Sequence, residues 1–150
     1  MTADHFQAPI SVHILFLKDK EILLLLRKGI SSDGFYGLVA GHLDGMETVT
    51  QAMIREANEE TGVKILPEDL EISTVCHSYV NRTKSELIQF YAICRKWSGE
   101  IKNNEPDKCS EVKFFSLESL PSNTIPFTRD AITKVLSGVK FYEYGWEGED

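Results

Sequence analysis

The stretch "GHLDGMETVTQAMIREANEETGV" (Gly41–Val63) decides how the rest of the chain is interpreted. Thr48 can cap a helix that begins at the next residue, and Gln51, three positions on, completes the spacing of a capping box. Gly62 stands where a helix commonly ends in a left-handed glycine. The sequence therefore predicts a helix over residues 49–61, entered and left through loops.

Three carboxylates, Glu56, Glu59 and Glu60, share one side of this predicted helix. With Ala52 at zero they fall at about 40°, about 340° and about 80°, the arc of the small and apolar residues that should pack on a sheet. Like charges three or four residues apart cost about 0.2–0.5 kcal/mol per pair on an exposed helix, and burial raises that cost. A hard cation such as Mg²⁺ would offset the repulsion. We therefore expect a divalent-metal site rather than a solvated acidic stripe.

Length and composition are those of one globular domain spanning residues 1–150. The 150 residues are 42% hydrophobic and 26% charged, and the net charge of −7 argues against binding of DNA or RNA duplexes.

The longest apolar run, "ILLLL" (Ile22–Leu26), is too short to cross a membrane, and the N-terminus lacks a signal-peptide pattern. We expect a cytoplasmic protein that does not bind membranes. The three cysteines have no CxxC spacing and are expected to be buried thiols.

The pattern along the chain predicts an α/β layered sandwich with a mixed sheet. A second amphipathic helix is expected in "TRDAITKVLSG", with an apolar stripe of Ala131, Ile132, Val135 and Leu136. The segments expected to form strands are "PISVHILFLK", "EILLLLR", "FYGLVAG", "LEISTVCHSYV", "ELIQFYAICRKW" and "VKFFSL".

Residues 41–63 resemble the signature of the Nudix hydrolases, a 23-residue loop–helix–loop called the Nudix box. The fixed positions of that signature are all present: Gly41, Glu47, Arg55, Glu56, Glu59, Glu60 and Gly62. The resemblance implies a Nudix-type α/β/α sandwich that hydrolyses a nucleoside diphosphate linked to another group. Two departures are Val39-Ala40 in place of Pro-Gly ahead of Gly41, and Ala57 in place of a bulky aliphatic residue.

The resemblance also implies a role for each box residue. It makes Glu56, Glu59 and Glu60 the metal ligands, with Mg²⁺ as cofactor and Mn²⁺ as a substitute, and it places Glu56, Glu59 and Arg55 in catalysis. Arg55 is expected to orient Glu47 or a box carboxylate, while Gly41 contacts substrate. Glu47 and Gly62 are structural or orienting residues. A nucleotide is the expected small-molecule partner, and a homodimer is expected from the family.

Two further candidates lie outside the box. Members of the family commonly take a base or a fourth ligand from elsewhere, and the acidic loop "NNEPDKCSE" resembles one found in nucleotide-cleaning Nudix enzymes. Glu105 is our candidate in that loop, with Asp107 and Glu111 as rivals. Arg27, at the end of a predicted strand, is a candidate phosphate contact; the alternative is an exposed residue at a strand end.

The expected reaction is Mg²⁺-dependent hydrolysis of nucleoside (deoxy)triphosphates to a monophosphate and pyrophosphate, by attack of water on a phosphorus. The same chemistry on a dinucleoside polyphosphate or a nucleotide sugar is the first alternative. A non-catalytic nucleotide-sensing domain would differ in class, but the intact box argues against it. A plain structural domain is disfavoured by the inward arc of the three carboxylates.

Overall fold

A computed structural model describes residues 4–29 and 31–147, which form a mixed sheet between two helices. The predicted α/β/α sandwich is confirmed. In chain order the elements are β1 (Ile10–Lys18), β2 (Glu21–Arg27), β3 (Tyr36–Gly37), β4 (Val39–His42), α1 (Val49–Thr61), a 3-10 turn (Pro67–Asp69), β5 (Leu70–Val80), β6 (Ser85–Cys94), β7 (Cys109–Ser116), α2 (Pro126–Leu136) and β8 (Phe141–Tyr144).

Strand β1 lies at the centre of the sheet and explains its mixed character. It runs parallel to β6 and antiparallel to β4 and, near its end, to β2. On one side β6 continues to β5 and then to β8, which is parallel to β5. On the other side β2 pairs antiparallel with both β3 and β7.

Alternating side chains of β1 build two separate cores, because successive residues of a strand point to opposite faces. Val12, Ile14 and Phe16 pack with the buried face of α1, whereas Leu15 and Leu17 pack with that of α2. All five are at most 3% exposed. The two helices are therefore held on opposite faces of one sheet.

Helix α1 begins and ends where the sequence predicts. Thr48 accepts a hydrogen bond from the Gln51 N–H, and the Gln51 side chain accepts one from the Thr48 N–H, which completes the capping box. Gly62 adopts φ 80° and donates its N–H to the Asn58 carbonyl. These local signals fix the helix whose inner face carries the acids.

Some elements differ from the prediction. The stretch "FYGLVAG" is two strands, because Tyr36–Gly37 pairs with β2 whereas Val39–His42 pairs with β1. Helix α2 starts at Pro126, since proline suits the first turn of a helix. Leu136, predicted in the apolar stripe, is 40% exposed at the helix end. Strand β8 was not predicted.

The expected state of the cysteines is confirmed for the described residues. Cys76, Cys94 and Cys109 are free and buried. None of the described helices combines the length and apolar character needed to span a membrane.

Candidate active site

Helix α1 turns two of its three clustered acids toward the sheet. Ala52, Met53 and Ala57 are fully buried beneath it, and the neighbouring Glu56 side chain is only 12% exposed. Glu60 is also partly buried. Glu59, predicted on the same arc, has a side chain that is 47% exposed, because its position at the margin of the arc leaves it beside the sheet rather than above it.

Strand β4 receives these two carboxylates at its glycine. A Cβ built on Gly41 would lie 2.1 Å from both Cδ and Oε1 of Glu56, so a side chain at position 41 would displace that carboxylate. Glu60 Oε1 accepts a long hydrogen bond of 3.4 Å from the Ala40 N–H. The two acids thus lie against consecutive residues of one strand.

Burial and proximity make this pair electrostatically unfavourable. The pKa of Glu60 lies well above its usual range, first because the carboxyl is buried and second because Glu56 is adjacent. Burial disfavours the charged form of a carboxylate, and a nearby like charge adds to the effect. A cation between the two would offset the repulsion and favour the charged form of both carboxyls.

Arg55 connects the acids of the helix to the loop before it. Its guanidinium donates to both oxygens of Glu47, at 3.1 and 2.8 Å, and to Glu56 Oε1 at 2.8 Å. It also donates to the His42 carbonyl at 3.1 Å and lies 3.3 Å from Glu59 Oε2. The contact with Glu47 that the sequence led us to expect is therefore present. Hydrogen bonds from Arg55 hold the pKa of Glu47 below its usual range.

A cleft of about 260 Å³ opens beside these carboxylates. The charged side chains that line it are Arg27, Glu56, Glu59, Glu60, Glu105 and Lys108. Two cations and four acids thus share one concave site, the arrangement needed to bind a polyanion together with a metal ion.

The loop that carries Glu105 is fixed to the end of α1. Asn104 donates its side-chain amide to the carbonyls of Asn58 and Glu59, at 3.2 and 3.1 Å, and its backbone N–H to the Glu60 carbonyl at 3.1 Å. These bonds place Glu105 in the cleft, where desolvation raises the pKa of its carboxyl.

The rival acids of that segment lie elsewhere. Asp107 is exposed and does not line the cleft. Glu111 accepts a short hydrogen bond from the Tyr36 hydroxyl and is likewise outside the cleft. That bond raises the pKa of Tyr36 to about 12.

Lys108 is a residue of the cleft that we did not single out from the sequence. It lies in the same "EPDKC" segment as Glu105, in which only acids were predicted to be site residues. Together with Arg27, it supplies positive charge in the cleft that the helix acids line. The need for a counter-charge to phosphate was the signal that could have identified it.

A second cavity, of about 330 Å³, lies on the opposite face of the sheet, beside the start of α2. Ser31 and Ser32 reach it from the loop after Arg27, whose side-chain Nε donates to the Ser31 carbonyl at 2.8 Å. One loop therefore borders both the acidic cleft and this cavity.

The carboxylates of the cleft suit a hard divalent ion in their chemistry. Mg²⁺ prefers carboxylate oxygens and leaves part of its shell to water and phosphate. Within residues 4–29 and 31–147, however, no three His, Cys, Asp or Glu side chains gather closely enough to form a complete ligand set. Glu56 is paired with Arg55 instead, so the residues fit such an ion by their oxygen donors and not as a closed cage.

Comparison with known proteins agrees with this site. A family model described as the NUDIX domain matches residues 7–135. The chain belongs to the Nudix family. Its box supplies the acids of α1, and the predicted Nudix hydrolase, acting on a nucleoside diphosphate linked to another group, is confirmed. Nudix hydrolases generally require a divalent metal.

Individual Nudix relatives differ in their named activities. An ADP-ribose pyrophosphatase of Methanocaldococcus jannaschii is 31% identical over 83% of this chain and 70% of its own length. A MutT Nudix hydrolase of Burkholderia pseudomallei is 27% identical, with a TM-score of 0.79, over 87% of this chain and 99% of its own. A bifunctional NMN adenylyltransferase/ADP-ribose pyrophosphatase of Francisella tularensis, complexed with AMP and a manganese ion, is 25% identical with a TM-score of 0.69. That last match spans 90% of this Nudix chain and 43% of the Francisella tularensis protein.

Proposed function

We propose that this protein hydrolyses nucleoside (deoxy)triphosphates to a nucleoside monophosphate and pyrophosphate, with Mg²⁺ held by the carboxylates of α1. The observation that carries the proposal is the cleft that four glutamates line together with Arg27 and Lys108. Acidic side chains alone would repel a polyphosphate. A site that bound a polyphosphate through cations alone would not need Glu56 and Glu60 buried side by side.

Glu56 and Glu60 would hold the metal, with Glu59 completing the carboxylate set at the more exposed edge. When bound, Mg²⁺ neutralises charge on phosphoryl oxygens and lowers the pKa of a coordinated water. Arg55 keeps Glu56 and Glu47 in place through its hydrogen bonds to both carboxylates. Removal of Arg55 would release both carboxylates.

Glu105 is the group proposed to take the proton of the attacking water. Its carboxyl lines the cleft, and its raised pKa makes it a stronger base than an exposed glutamate. The water oxygen bonds to a phosphorus, the bond from that phosphorus to the bridging oxygen breaks, and the proton passes to Glu105. Arg27 and Lys108 would balance the negative charge of the departing phosphates.

ADP-ribose is the second candidate substrate. It is favoured by the 31% identical relative named as an ADP-ribose pyrophosphatase. The bond cleaved is the same pyrophosphate linkage, so the proposed roles of the site residues do not change. The two substrates differ only in the group attached to the second phosphate.

A hydrolysis screen with product identification separates the two candidates. The four common nucleoside triphosphates, their deoxy forms, ADP-ribose and a dinucleoside polyphosphate are incubated with Mg²⁺, and products are resolved by anion-exchange chromatography. Pyrophosphate released from a triphosphate supports the first candidate. A preference for ADP-ribose over every triphosphate would overturn it, and hydrolysis of none would overturn the proposed activity.

A further inference from the structure

A single turn of the chain presents two charged residues to the acidic cleft. Glu105 and Lys108 both line the cleft, and the Lys108 N–H donates to the Glu105 carbonyl at 2.9 Å. A hydrogen bond between residues three apart closes a β-turn, and Pro106 occupies the second position, where proline is favoured. The turn therefore holds the proposed base and a cation at its two ends, with exposed Pro106 and Asp107 between them.

Asn103 reaches across this turn with one side chain. Its Oδ1 accepts a hydrogen bond from the Glu105 N–H at 3.2 Å, and its Nδ2 donates to the Cys109 carbonyl at 2.7 Å. The first bond is the contact of an Asx-turn, in which asparagine binds the backbone two residues further on. The second bond ends on the first residue of β7. One planar amide therefore joins the residue that begins the turn to the residue that follows it.

The two ends of the turn have different anchors on the rest of the site. The Lys108 carbonyl accepts the Lys28 N–H at 2.9 Å, which attaches that end of the turn to the residue after β2. The Glu105 N–H has its anchor on Asn103, next to the Asn104 contacts with α1. Loss of the Asn103 side chain should therefore disturb Glu105 more than Lys108.

The position of Glu105 in the cleft depends on its backbone. Among the described residues, its carboxylate makes no hydrogen bond or ion pair that would hold the side chain directly. A general base must come within about 2.6–3.2 Å of the atom whose proton it takes. A displacement of about 1 Å caused by a change away from the reacting atoms can lower a rate about 10²-fold. The anchor of the Glu105 backbone is therefore expected to matter for turnover.

We propose that Asn103 is a positioning residue for hydrolysis: its side chain fixes the backbone of Glu105 so that the carboxylate stays within reach of the attacking water. The proposal rests on the proposed function, which makes Glu105 the base. Asn103 is half-buried, lies outside the Nudix box and does not line the cleft, so it acts through Glu105 and not on the substrate.

Amide hydrogen exchange measures this anchor without metal or substrate. The full chain is isotope-labelled, and the exchange of individual amides with water is followed by NMR in EDTA. In Asn103→Ala the Glu105 amide should exchange about fivefold faster or more, the effect of losing one hydrogen bond. Unchanged exchange at Glu105 in folded Asn103→Ala would overturn the proposal.

Asn123→Ala is the matched control for this measurement. Asn123 is also a half-buried asparagine, and its Nδ2 donates to a loop carbonyl, that of Gly34, at 3.0 Å. It does not line the cleft. Its removal should leave both the exchange at Glu105 and the turnover at their wild-type values. Faster exchange at Glu105 in both variants would assign the effect to a general loosening of the fold and would overturn the proposal.

Kinetics with and without the base separate positioning from a general loss of structure. Values of kcat and KM are measured with Mg²⁺ on both candidate substrates, a deoxynucleoside triphosphate and ADP-ribose. Asn103→Ala should lower kcat about tenfold to hundredfold, with KM within about twofold of wild type. In the Glu105→Gln background the same change should lower kcat less than about twofold, because the group that Asn103 positions is already absent. Equal losses in the two backgrounds would contradict the proposal.

Asn103→Ser tests the acceptor alone. A serine hydroxyl can accept the hydrogen bond of the N–H two residues on, although more weakly than asparagine does, and it does not replace the bond to the Cys109 carbonyl. We expect kcat within about fivefold of wild type and slower exchange at Glu105 than in Asn103→Ala. Serine also keeps the test open if the alanine variant does not fold. Values equal to those of folded Asn103→Ala would overturn the role of the Asn103 oxygen.

Failure of the proposed function gives a different pattern from failure of this inference. Full kcat in Glu105→Gln alone would remove Glu105 as the base and, with it, the role of Asn103 in hydrolysis. A large loss in Glu105→Gln together with unchanged kcat in Asn103→Ala would leave the proposed function standing and overturn only the positioning role.

Discussion

Gly41 lies against the Glu56 carboxylate, so its lack of a side chain matters for the proposed metal site. Alanine at this position would bring its Cβ within 2.1 Å of the Glu56 carboxylate, which must then move away. Because that carboxylate is the end of a flexible side chain, we expect Gly41→Ala to fold with little loss of stability and to lose at least about tenfold in turnover. Steady-state kinetics and thermal unfolding measure the two effects. Unchanged kcat would show that Glu56 need not lie against β4.

Glu105 and Asp107 provide a matched test within one loop. Glu105 lines the cleft and Asp107 does not. Glu105→Gln should lower kcat about 10²–10⁴-fold, the usual contribution of a general base, while Asp107→Asn should stay near wild type. Equal effects in the two variants would remove Glu105 from the proposed reaction.

Glu60 should make the metal-free protein less stable as pH rises. The pKa of Glu60 in the folded state lies above the unfolded value of 4.5. The stability that Glu60 contributes is therefore fully present below pH 4.5 and is lost as the pH rises through the folded pKa. In EDTA, Glu60→Gln should therefore melt higher than wild type at about pH 8, with a gap that narrows toward about pH 5. Differential scanning calorimetry across this range checks the sign. A lower melting temperature for the variant at every pH would contradict the burial argument.

At the scale of the element, α1 depends on the caps that the sequence already shows. Thr48→Ala removes one half of the capping box, which typically costs about 1 kcal/mol. For a chain of this size the melting temperature should fall by about 2–4 °C. Thermal unfolding of Thr48→Ala and Thr48→Ser gives the comparison, since serine retains the cap. Equal loss in both variants would assign the effect to the Thr48 methyl group.

Local signals explain why α1 could be predicted to the residue and other elements could not. Its boundaries depend on Thr48, Gln51 and Gly62, all within or beside the helix. The break in "FYGLVAG" depends instead on pairing with two different distant strands. The four residues of β8 form a strand only because β5 is available beside them.

At the scale of the whole molecule, the sequence predicts the acids of the site better than their surroundings. Glu56 and Glu60 face inward as their helical spacing indicates, and Asn104 fixes the loop of Glu105 to α1 through contacts that no local pattern encodes. The parallel register of β1 and β6 likewise brings His13 beside Tyr91 from residues far apart in the chain. Such pairings become visible only in the folded chain.

The central claim is that the inward carboxylates of α1 hold a divalent ion beneath Gly41. Crystals of the protein soaked in Mn²⁺ and measured at the manganese absorption edge test it most directly. We expect an anomalous peak within coordination distance of the Glu56 and Glu60 oxygens. A fully soaked crystal with no peak there, and with both side chains unmoved, would contradict the account.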